Sequence, residues 1–206
     1  MTQATIQHKI KLKMDSLSVK EVFENQRTCN SFLTTDIPDS LLKEIYDIAK
    51  LGPTSANCCP LRIIFIKNED AKSKLLDCLM EGNVAKTKTA PVVALFAEDH
   101  KFYEKMPKLF PHNKEFGKMY ENNEVLLKNT ASRNSVLQAA YFMIAARSKG
   151  LACGPMSGFD AKKLNESFFS ETNYTINFIC NLGYRAKEEE YPRLPKLEFN
   201  ETCFIS

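Results

Sequence analysis

The chain has 206 residues, of which 44% are hydrophobic and 26% are charged, and this composition predicts a soluble globular protein with a core of its own. It excludes a disordered or collagen-like chain. The net charge of +3 is spread along the sequence, and no stretch approaches the roughly 20 apolar residues of a membrane helix. We therefore expect neither nucleic-acid nor membrane binding. Because residues 1–16 lack the apolar block of a signal peptide, we expect a cytoplasmic protein.

Two helices are predicted in the first quarter of the chain. Apolar residues at a 3.6-residue period predict a helix that begins at Ser16 and ends before Arg27. The second helix has Asp36 as its candidate N-cap, Pro38 in its first turn, and Gly52 at its end. A loop rich in small residues follows it.

Three short apolar segments predict buried strands. Residues 61–66 and 91–97 are rich in branched side chains, and a helix over residues 68–80 separates them. Residues 174–182 alternate between apolar and polar side chains, which predicts a third strand.

The second half of the chain is predicted to be mainly helical. A long helix, either continuous or interrupted, begins after Pro111 and continues to Lys149, and Asp160 can cap a short helix through Phe169. Prolines beyond Gly183 predict an extended tail.

No internal repeat or linker divides the sequence. Residues 1–15 are expected to be a flexible leader, and residues 16–206 to form one domain. With helices outnumbering strands, the predicted fold class is α+β.

Cysteines and histidines argue against disulfides and metals. The seven cysteines are an odd number without a C-x-x-C pair, which favours free thiols. Neighbouring cysteines such as Cys58 and Cys59 rarely meet disulfide geometry, so we expect them to pack as small apolar residues. The three histidines are not spaced for a zinc site.

Glycine is scarce, yet three of the seven glycines, Gly150, Gly154 and Gly158, lie within nine residues. Such spacing suits a backbone that passes close to a flat ligand. It also suits a plain helix-to-helix turn with Gly150 as the C-cap. Neither a dinucleotide-binding G-x-G-x-x-G motif nor a P-loop is present.

Two further features are candidates for ligand binding. The loop over residues 52–60 carries small and hydrogen-bonding side chains between a helix and a strand. Arg27, Arg133 and Arg193 are isolated arginines, which are normally solvated surface groups. Arg193, however, lies between two prolines that restrict the backbone, and an arginine held in a fixed geometry suits bidentate binding of a phosphate.

These features occur in an order that resembles the FMN-dependent nitroreductase family, from about Ser16 to Cys203. The subgroup that the chain resembles is malonic semialdehyde reductase of pyrimidine degradation. The motifs are Arg27-Thr28-x-Asn30, Gly52-Pro-Thr-Ser-Ala-Asn57, Gly82-Asn-x-x-Lys86, Phe110-Pro-His112, Arg133-Asn-Ser135 with Gln138-Ala-Ala-Tyr141, Gly154-Pro-Met-Ser-Gly-Phe-Asp160, and Arg193-Leu-Pro195.

The resemblance implies a fold, a cofactor and an assembly. Helices would surround a central, mostly antiparallel sheet, and two chains would form an intertwined homodimer. Two FMN molecules would lie in the subunit interface, each contacted by both chains. NADH or NADPH would be the co-substrate, and a small molecule the second substrate.

The resemblance also implies which residues contact FMN. Arg27, Thr28 and Arg193 would hold the phosphate. Residues 53–57 would line the flavin and its ribityl chain, often from the partner subunit. Asn83 and Lys86 would reach the pyrimidine edge, while residues 155–158 would pass beneath the ring and offer a backbone N–H to N5. The implied set is Arg27, Thr28, Asn30, Pro53, Thr54, Ser55, Ala56, Asn57, Asn83, Lys86, Pro155, Met156, Ser157, Gly158 and Arg193.

The sequence departs from the family at four places. Many members have a basic residue where this chain has Asn30, and another where it has Tyr191, so the phosphate would rest on fewer charges. Ser157 replaces a glutamate, and residues 59–61 replace Gln-Pro-Trp. Ser157 and Cys59 agree with the semialdehyde-reductase subgroup.

The implied reaction is a ping-pong cycle in which NAD(P)H reduces the flavin and leaves before the second substrate binds. For a semialdehyde acid, Arg133 and His112 are the candidates for holding the carboxylate and for protonating the carbonyl oxygen. Each also has an ordinary interpretation, Arg133 as a helix ion-pair partner and His112 as a loop residue.

Two rival functions remain open. A broad NAD(P)H nitroreductase or quinone reductase would use the same flavin under an open cleft. A flavin carrier or sensor would keep the cofactor contacts without turnover.

Overall fold

The computed structural model describes residues 19–186 and 192–206. The predicted leader, the start of the first predicted helix and Tyr191 lie outside these residues. The described part contains a four-stranded sheet in which every neighbouring pair is antiparallel, in the order β1-β2-β4-β3. The strands are β1 (Leu61–Ile66), β2 (Val92–Asp99), β3 (Ala152–Met156) and β4 (Tyr174–Gly183).

Strand β3 was not predicted from the sequence. Its residues Gly154 and Pro155 are depleted in strands and suggest a turn. The strand forms at an edge of the sheet, where it pairs only with β4 and where proline is tolerated. Neither a helix-to-helix turn nor an irregular loop therefore describes residues 152–156.

Two helical segments precede the sheet, and the second begins later than predicted. A π-helical turn spans Lys20–Glu24, and helix α1 spans Asp39–Ala49. The expectation that Asp36 caps α1 is wrong, because Pro38 is the N-cap residue with an extended backbone and no side chain caps the helix. Asp36 instead lies 3.6 Å from the Lys67 ammonium.

The predicted helix over residues 68–80 ends early and a second helix follows it. Helix α2 (Glu69–Leu76) has Asn68 as its N-cap, whose side chain accepts a hydrogen bond from the Ala71 N–H. Helix α3 (Glu81–Thr89) was missed because it has almost no apolar face, and Thr87 is its one buried residue.

The long helix is interrupted in its first half. Two single turns, Met106–Leu109 and Lys118–Glu121, precede helix α4, which spans Glu124–Ser148. Helix α5 (Ala161–Phe168) is capped by Asp160, as predicted. In the described part of the tail, residues 192–198 have no regular structure and Phe199–Thr202 form a helical turn that was not predicted.

Helices cover both faces of the sheet, which explains why the strands are apolar on both sides. Along β2, Val93 and Leu95 pack in one core with α2 and α5, whereas Val92 and Phe96 pack in another with α1 and α4. In the described ranges, no helix is long and apolar enough to cross a membrane.

Candidate functional site

A cavity of about 470 Å³ lies between the π-helical turn, the end of α4 and the tail. It brings together the three residues of the implied phosphate site, because Arg193 in the tail lies at the same cavity as Arg27 and Thr28 near the start of the described residues. We call it the arginine pocket. Its lining residues are Phe23, Gln26, Arg27, Thr28, Asn30, Arg147, Pro192, Arg193, Leu194 and Lys196.

The two predicted arginines are fixed by backbone carbonyls at the end of the π-helical turn. Arg193 Nη2 donates to the carbonyl oxygens of Phe23, Glu24 and Gln26 at 2.8, 2.8 and 3.0 Å. Arg27 Nη1 donates to the carbonyls of Glu24 and Gln26 at 3.1 and 2.8 Å. The carbonyls at a helix end lack partners within the helix, so they orient both guanidinium groups.

The arginine pocket concentrates positive charge, and none of its described lining residues is acidic. Among the described residues, none of Arg27, Arg147, Arg193 and Lys196 forms an ion pair with a carboxylate. In addition, the Nε atoms of Arg27 and Arg147 are buried without a hydrogen-bond acceptor. Buried donors without acceptors are costly, and guanidinium groups match phosphate oxygens well. The pocket therefore fits a dianionic phosphate.

Arg147 and Lys196 were missed at the sequence level. Lys196 lies three residues after Arg193, so its place in the tail was a usable signal. Arg147 gave no signal, because its position depends on how the end of α4 packs against the π-helical turn.

Strand β3 connects the arginine pocket to the glycine-rich segment. The Cys29 N–H donates to the Cys153 carbonyl at 2.9 Å, which joins residues 27–30 to the outer edge of β3. A Cβ at Gly154 would lie 2.6 Å from the Cys29 carbonyl oxygen, so only glycine allows this approach. At about 3.3 Å per residue, Ser157 lies roughly 13 Å along the strand direction from Cys153.

Beyond β3, the chain meets helix α3. The Gly158 carbonyl accepts hydrogen bonds from Asn83 Nδ2 at 2.8 Å and from the Met80 N–H at 3.0 Å. Thr87 Oγ1 lies 3.8 Å from the Met156 sulfur. The structure thus brings Asn83, Met156 and Gly158 together. Half-buried Lys86 lies one turn after Asn83, and Pro155 and exposed Ser157 lie in the same segment.

The backbone conformation or the packing of the chain itself explains why each of the three clustered positions is a glycine. Gly150 has a φ of +82° just after the end of α4, as expected for a helix C-terminus. Gly154 gives room to the Cys29 carbonyl, and a Cβ at Gly158 would lie 2.5 Å from Asn83 Nδ2. Their clustering alone is therefore not a sign of a flat ligand.

The loop over residues 53–60 has an unusual backbone. Ala56, Asn57 and Cys59 have φ values of 48°, 54° and 43°, which are costly for residues other than glycine. Asn134 Oδ1 on α4 accepts from the Ser55 N–H at 2.8 Å, and Asn57 Nδ2 donates to the Leu109 carbonyl at 2.8 Å.

Two more contacts complete the loop's support. Tyr141 donates its hydroxyl to the Pro53 carbonyl at 3.1 Å, and the Cys59 N–H donates to Thr54 Oγ1 at 3.3 Å. Buried Asn134, which was not singled out as a site residue, is thus a main support of this loop.

The two proposed catalytic residues adjoin this loop and are both exposed. Arg133 precedes Asn134 on α4 and forms no ion pair with any described carboxylate, so no ion pair among these residues explains its position. The His112 ring lies against Phe110, with 3.8 Å between ring centroids, just after the Leu109 carbonyl that holds Asn57. No described contact joins Arg133 to His112.

The loop and the arginine pocket lie at separate places along α4. Asn134, which holds Ser55, and Arg147, which lines the pocket, are 13 residues apart on this helix. At 1.5 Å per residue, their separation along the axis is about 20 Å. Within one chain, the implied FMN contacts therefore form two groups.

The cysteines are free thiols, as predicted. Cys58 is buried, and burial raises its pKa from 9.0 to about 11. In the core between the sheet and α4, the Cys180 thiol donates to Cys153 and lowers the pKa of Cys153, to which the nearby Arg147 charge contributes. Burial raises the pKa of Cys180. Among the described residues, no cluster of candidate metal ligands occurs.

The shifted pKa of Cys58 predicts a pH-dependent stability. The Cys58 thiol stays protonated in the folded state up to about pH 11, whereas in the unfolded chain it loses its proton near pH 9. Its contribution to the free energy of unfolding is therefore complete below pH 9 and is lost as the pH rises from 9 to 11. The loss is about 2–3 kcal/mol. Urea unfolding from pH 8 to 11 should show the stability difference between wild type and Cys58→Ala shrinking with pH. A constant difference would contradict the shift.

The model of the family described as "Nitroreductase family" matches residues 24–184. The chain belongs to the nitroreductase family. Within it, a relative from Polynucleobacter asymbioticus named "Putative NADH dehydrogenase/NAD(P)H nitroreductase" is 44% identical over 192 residues, which are 93% of this chain and 97% of the relative.

Solved nitroreductase-family structures share the fold. The Bacillus subtilis protein ydfN aligns with a TM-score of 0.82 and 21% identity, covering 100% of both chains. An Exiguobacterium sibiricum protein crystallised in complex with FMN aligns with a TM-score of 0.82 and 22% identity, over 93% of this chain and 98% of that one. These similarities confirm the α+β, nitroreductase-like fold predicted from the motifs.

Proposed function

We propose that this nitroreductase-family protein is an FMN-dependent NAD(P)H oxidoreductase. The observation that carries the proposal is the arginine pocket, in which four cations, none of them paired with a described carboxylate, surround a cavity suited to a phosphate. Family membership and the FMN complex of the Exiguobacterium sibiricum structure support the choice of FMN as the phosphate-bearing ligand.

In this proposal, the chain's own residues hold the cofactor along β3. Arg27, Thr28 and Arg193 bind the phosphate, and residues 155–158 support the flavin ring. Asn83 and Lys86 face its pyrimidine edge, where a cation favours the reduced, negatively charged form. When bound, FMN accepts a hydride from NADH or NADPH and passes it to a second substrate.

We further propose that the site is completed by a second copy of the chain. The loop over residues 53–57 lies about 20 Å along α4 from the arginine pocket, so a partner's loop is the natural source of those contacts. Exposed apolar residues on α4, among them Val125, Val136 and Leu137, provide a surface for such a partner. The expected assembly is a homodimer with one FMN per chain.

A co-expression experiment tests the shared site. Wild-type protein should be a dimer with about one FMN per chain, measured by light scattering and by released flavin. A mixed dimer of Arg193→Ala and a deletion within residues 53–57 should retain one intact site, whereas either variant alone should bind little FMN. A stable monomer with full FMN content would contradict the shared site.

The proposed substrate is a small semialdehyde acid such as malonic semialdehyde. Arg133 has no ion-pair partner among described residues, so its guanidinium is available for a carboxylate. His112 is exposed and is proposed to protonate the carbonyl oxygen as hydride reaches the carbon.

A second candidate is a broad nitroreductase or quinone reductase, which the names of the curated relatives favour. Steady-state oxidation of NADH and NADPH with malonic semialdehyde, a nitroaromatic compound or a quinone distinguishes them. Preference for the semialdehyde that Arg133→Gln selectively removes supports the first candidate. Flavin binding without turnover of any acceptor would indicate a carrier or sensor.

The single domain over residues 16–206 and the cytoplasmic location also remain predictions.

A further inference from the structure

The arginine pocket contains more positive charge than the family motifs imply for this chain. Four cations line the pocket, because Arg147 and Lys196 join Arg27 and Arg193. The cavity therefore has two cations in addition to the two arginines of the motifs.

Arg147 is the better fixed of the two additional cations. It lies in the last turn of α4 and is half-buried, whereas Lys196 is exposed in the tail. Its hydrogen bond from Nη1 to the Val22 carbonyl is long, at 3.4 Å, and its Nε atom is buried without an acceptor. Its side chain also lies beside the buried Cys153 thiol, whose pKa it helps to lower. No described carboxylate pairs with Arg147. A guanidinium held this way has donors left over for a ligand.

The position of Arg147 in the last turn of α4 has an alternative explanation, since a cation is favourable at a helix C-terminus. That interaction does not account for the buried Nε, which needs an acceptor of its own. Lys149 occupies the same helix end and forms an ion pair with Glu44 at 3.2 Å, so its charge is already matched. The two residues therefore form a matched pair for comparison.

We propose that Arg147 binds the phosphate of FMN together with Arg27 and Arg193, and so adds a third guanidinium to the two that the motifs supply. This inference rests on the proposed FMN-dependent function. The phosphate then joins three segments, the residues around 27, the end of α4 and the tail, and Lys196 adds an exposed charge that salt weakens.

Binding of FMN and of riboflavin, which lacks the phosphate, tests this role. Dissociation constants of both flavins are measured by fluorescence titration for wild type, Arg147→Met and Lys149→Met. Arg147→Met is expected to weaken FMN binding about 10-fold or more while leaving riboflavin binding unchanged, because only the phosphate contact is lost. Lys149→Met loses the same charge in the same helical turn and should bind both flavins like wild type.

Each result has a defined consequence. If Arg147→Met binds FMN as tightly as wild type, or if FMN and riboflavin lose affinity equally, the phosphate role is wrong. If wild type binds neither flavin, the proposed function itself fails. Should Arg147→Met not fold, Arg147→Lys keeps the charge but loses the planar fork. Its preference for FMN over riboflavin should then fall about 2- to 5-fold, and an unchanged preference would overturn the proposal.

Discussion

The Arg193→Ala protein is expected to fold and to lose FMN affinity by about 10- to 150-fold. Charge-assisted hydrogen bonds contribute about 1.5–3 kcal/mol each, and this substitution removes one of the pocket's cations. It also removes the donor that holds three carbonyls after the π-helical turn, so Arg27 loses part of its support. Equilibrium dialysis with FMN and far-UV circular dichroism measure affinity and folding.

A matched control isolates the effect of position from that of net charge. Lys162→Ala removes one positive charge from an exposed residue of α5 that lies 4.0 Å from Glu166, outside the arginine pocket. Its FMN affinity should equal that of wild type. Unchanged FMN affinity in the Arg193→Ala protein would mean that Arg193 serves only the backbone turn.

Gly154→Ala is expected to destabilise the protein and to weaken FMN binding together. The added Cβ would lie 2.6 Å from the Cys29 carbonyl oxygen, and this atom belongs to backbone that cannot move alone. Overpacking of this kind costs about 1–3 kcal/mol. Because Cys29 lies between Thr28 and Asn30 of the arginine pocket, its displacement should also disturb phosphate binding.

Gly82→Ala is the control for the glycine substitution. No heavy atom lies within 4 Å of a Cβ at Gly82, and the residue lies in the first turn of α3, where alanine favours the helix. This variant should be as stable as wild type or more stable by up to about 1 kcal/mol. Thermal unfolding of both variants measures the difference, at about 2–4 °C per kcal/mol. Equal melting temperatures for the two would contradict the close approach at Gly154.

Elements with a strong local pattern could be predicted from the sequence. Strands β1, β2 and β4 are apolar and branched, and Asn68 and Asp160 are N-caps whose side chains mark helix starts. Two elements had no such pattern. Strand β3 exists because β4 provides a partner for a short glycine- and proline-containing segment, and α3 is polar on nearly all sides. Their formation depends on tertiary contacts.

The residues of the candidate site could be predicted from the sequence only where they belong to a family motif. Arg27 and Arg193, separated by most of the chain, meet around one cavity as the motif order implies. Arg147 could not be predicted, because an isolated arginine in a long helix has the sequence pattern of an ordinary surface residue. Its place in the pocket depends on how α4 packs against the π-helical turn. The positive φ values of Ala56 and Asn57 could not be predicted either, since neither residue is glycine.

Anaerobic titration of the purified protein with NADH and with NADPH tests the central claim most directly. The visible flavin absorption of the isolated protein should correspond to about one FMN per chain, and it should disappear as about one equivalent of the preferred nucleotide is added. Readmission of an electron acceptor should restore the absorption. A folded protein that binds no FMN, or whose bound FMN stays oxidised with both nucleotides, would contradict the proposed function.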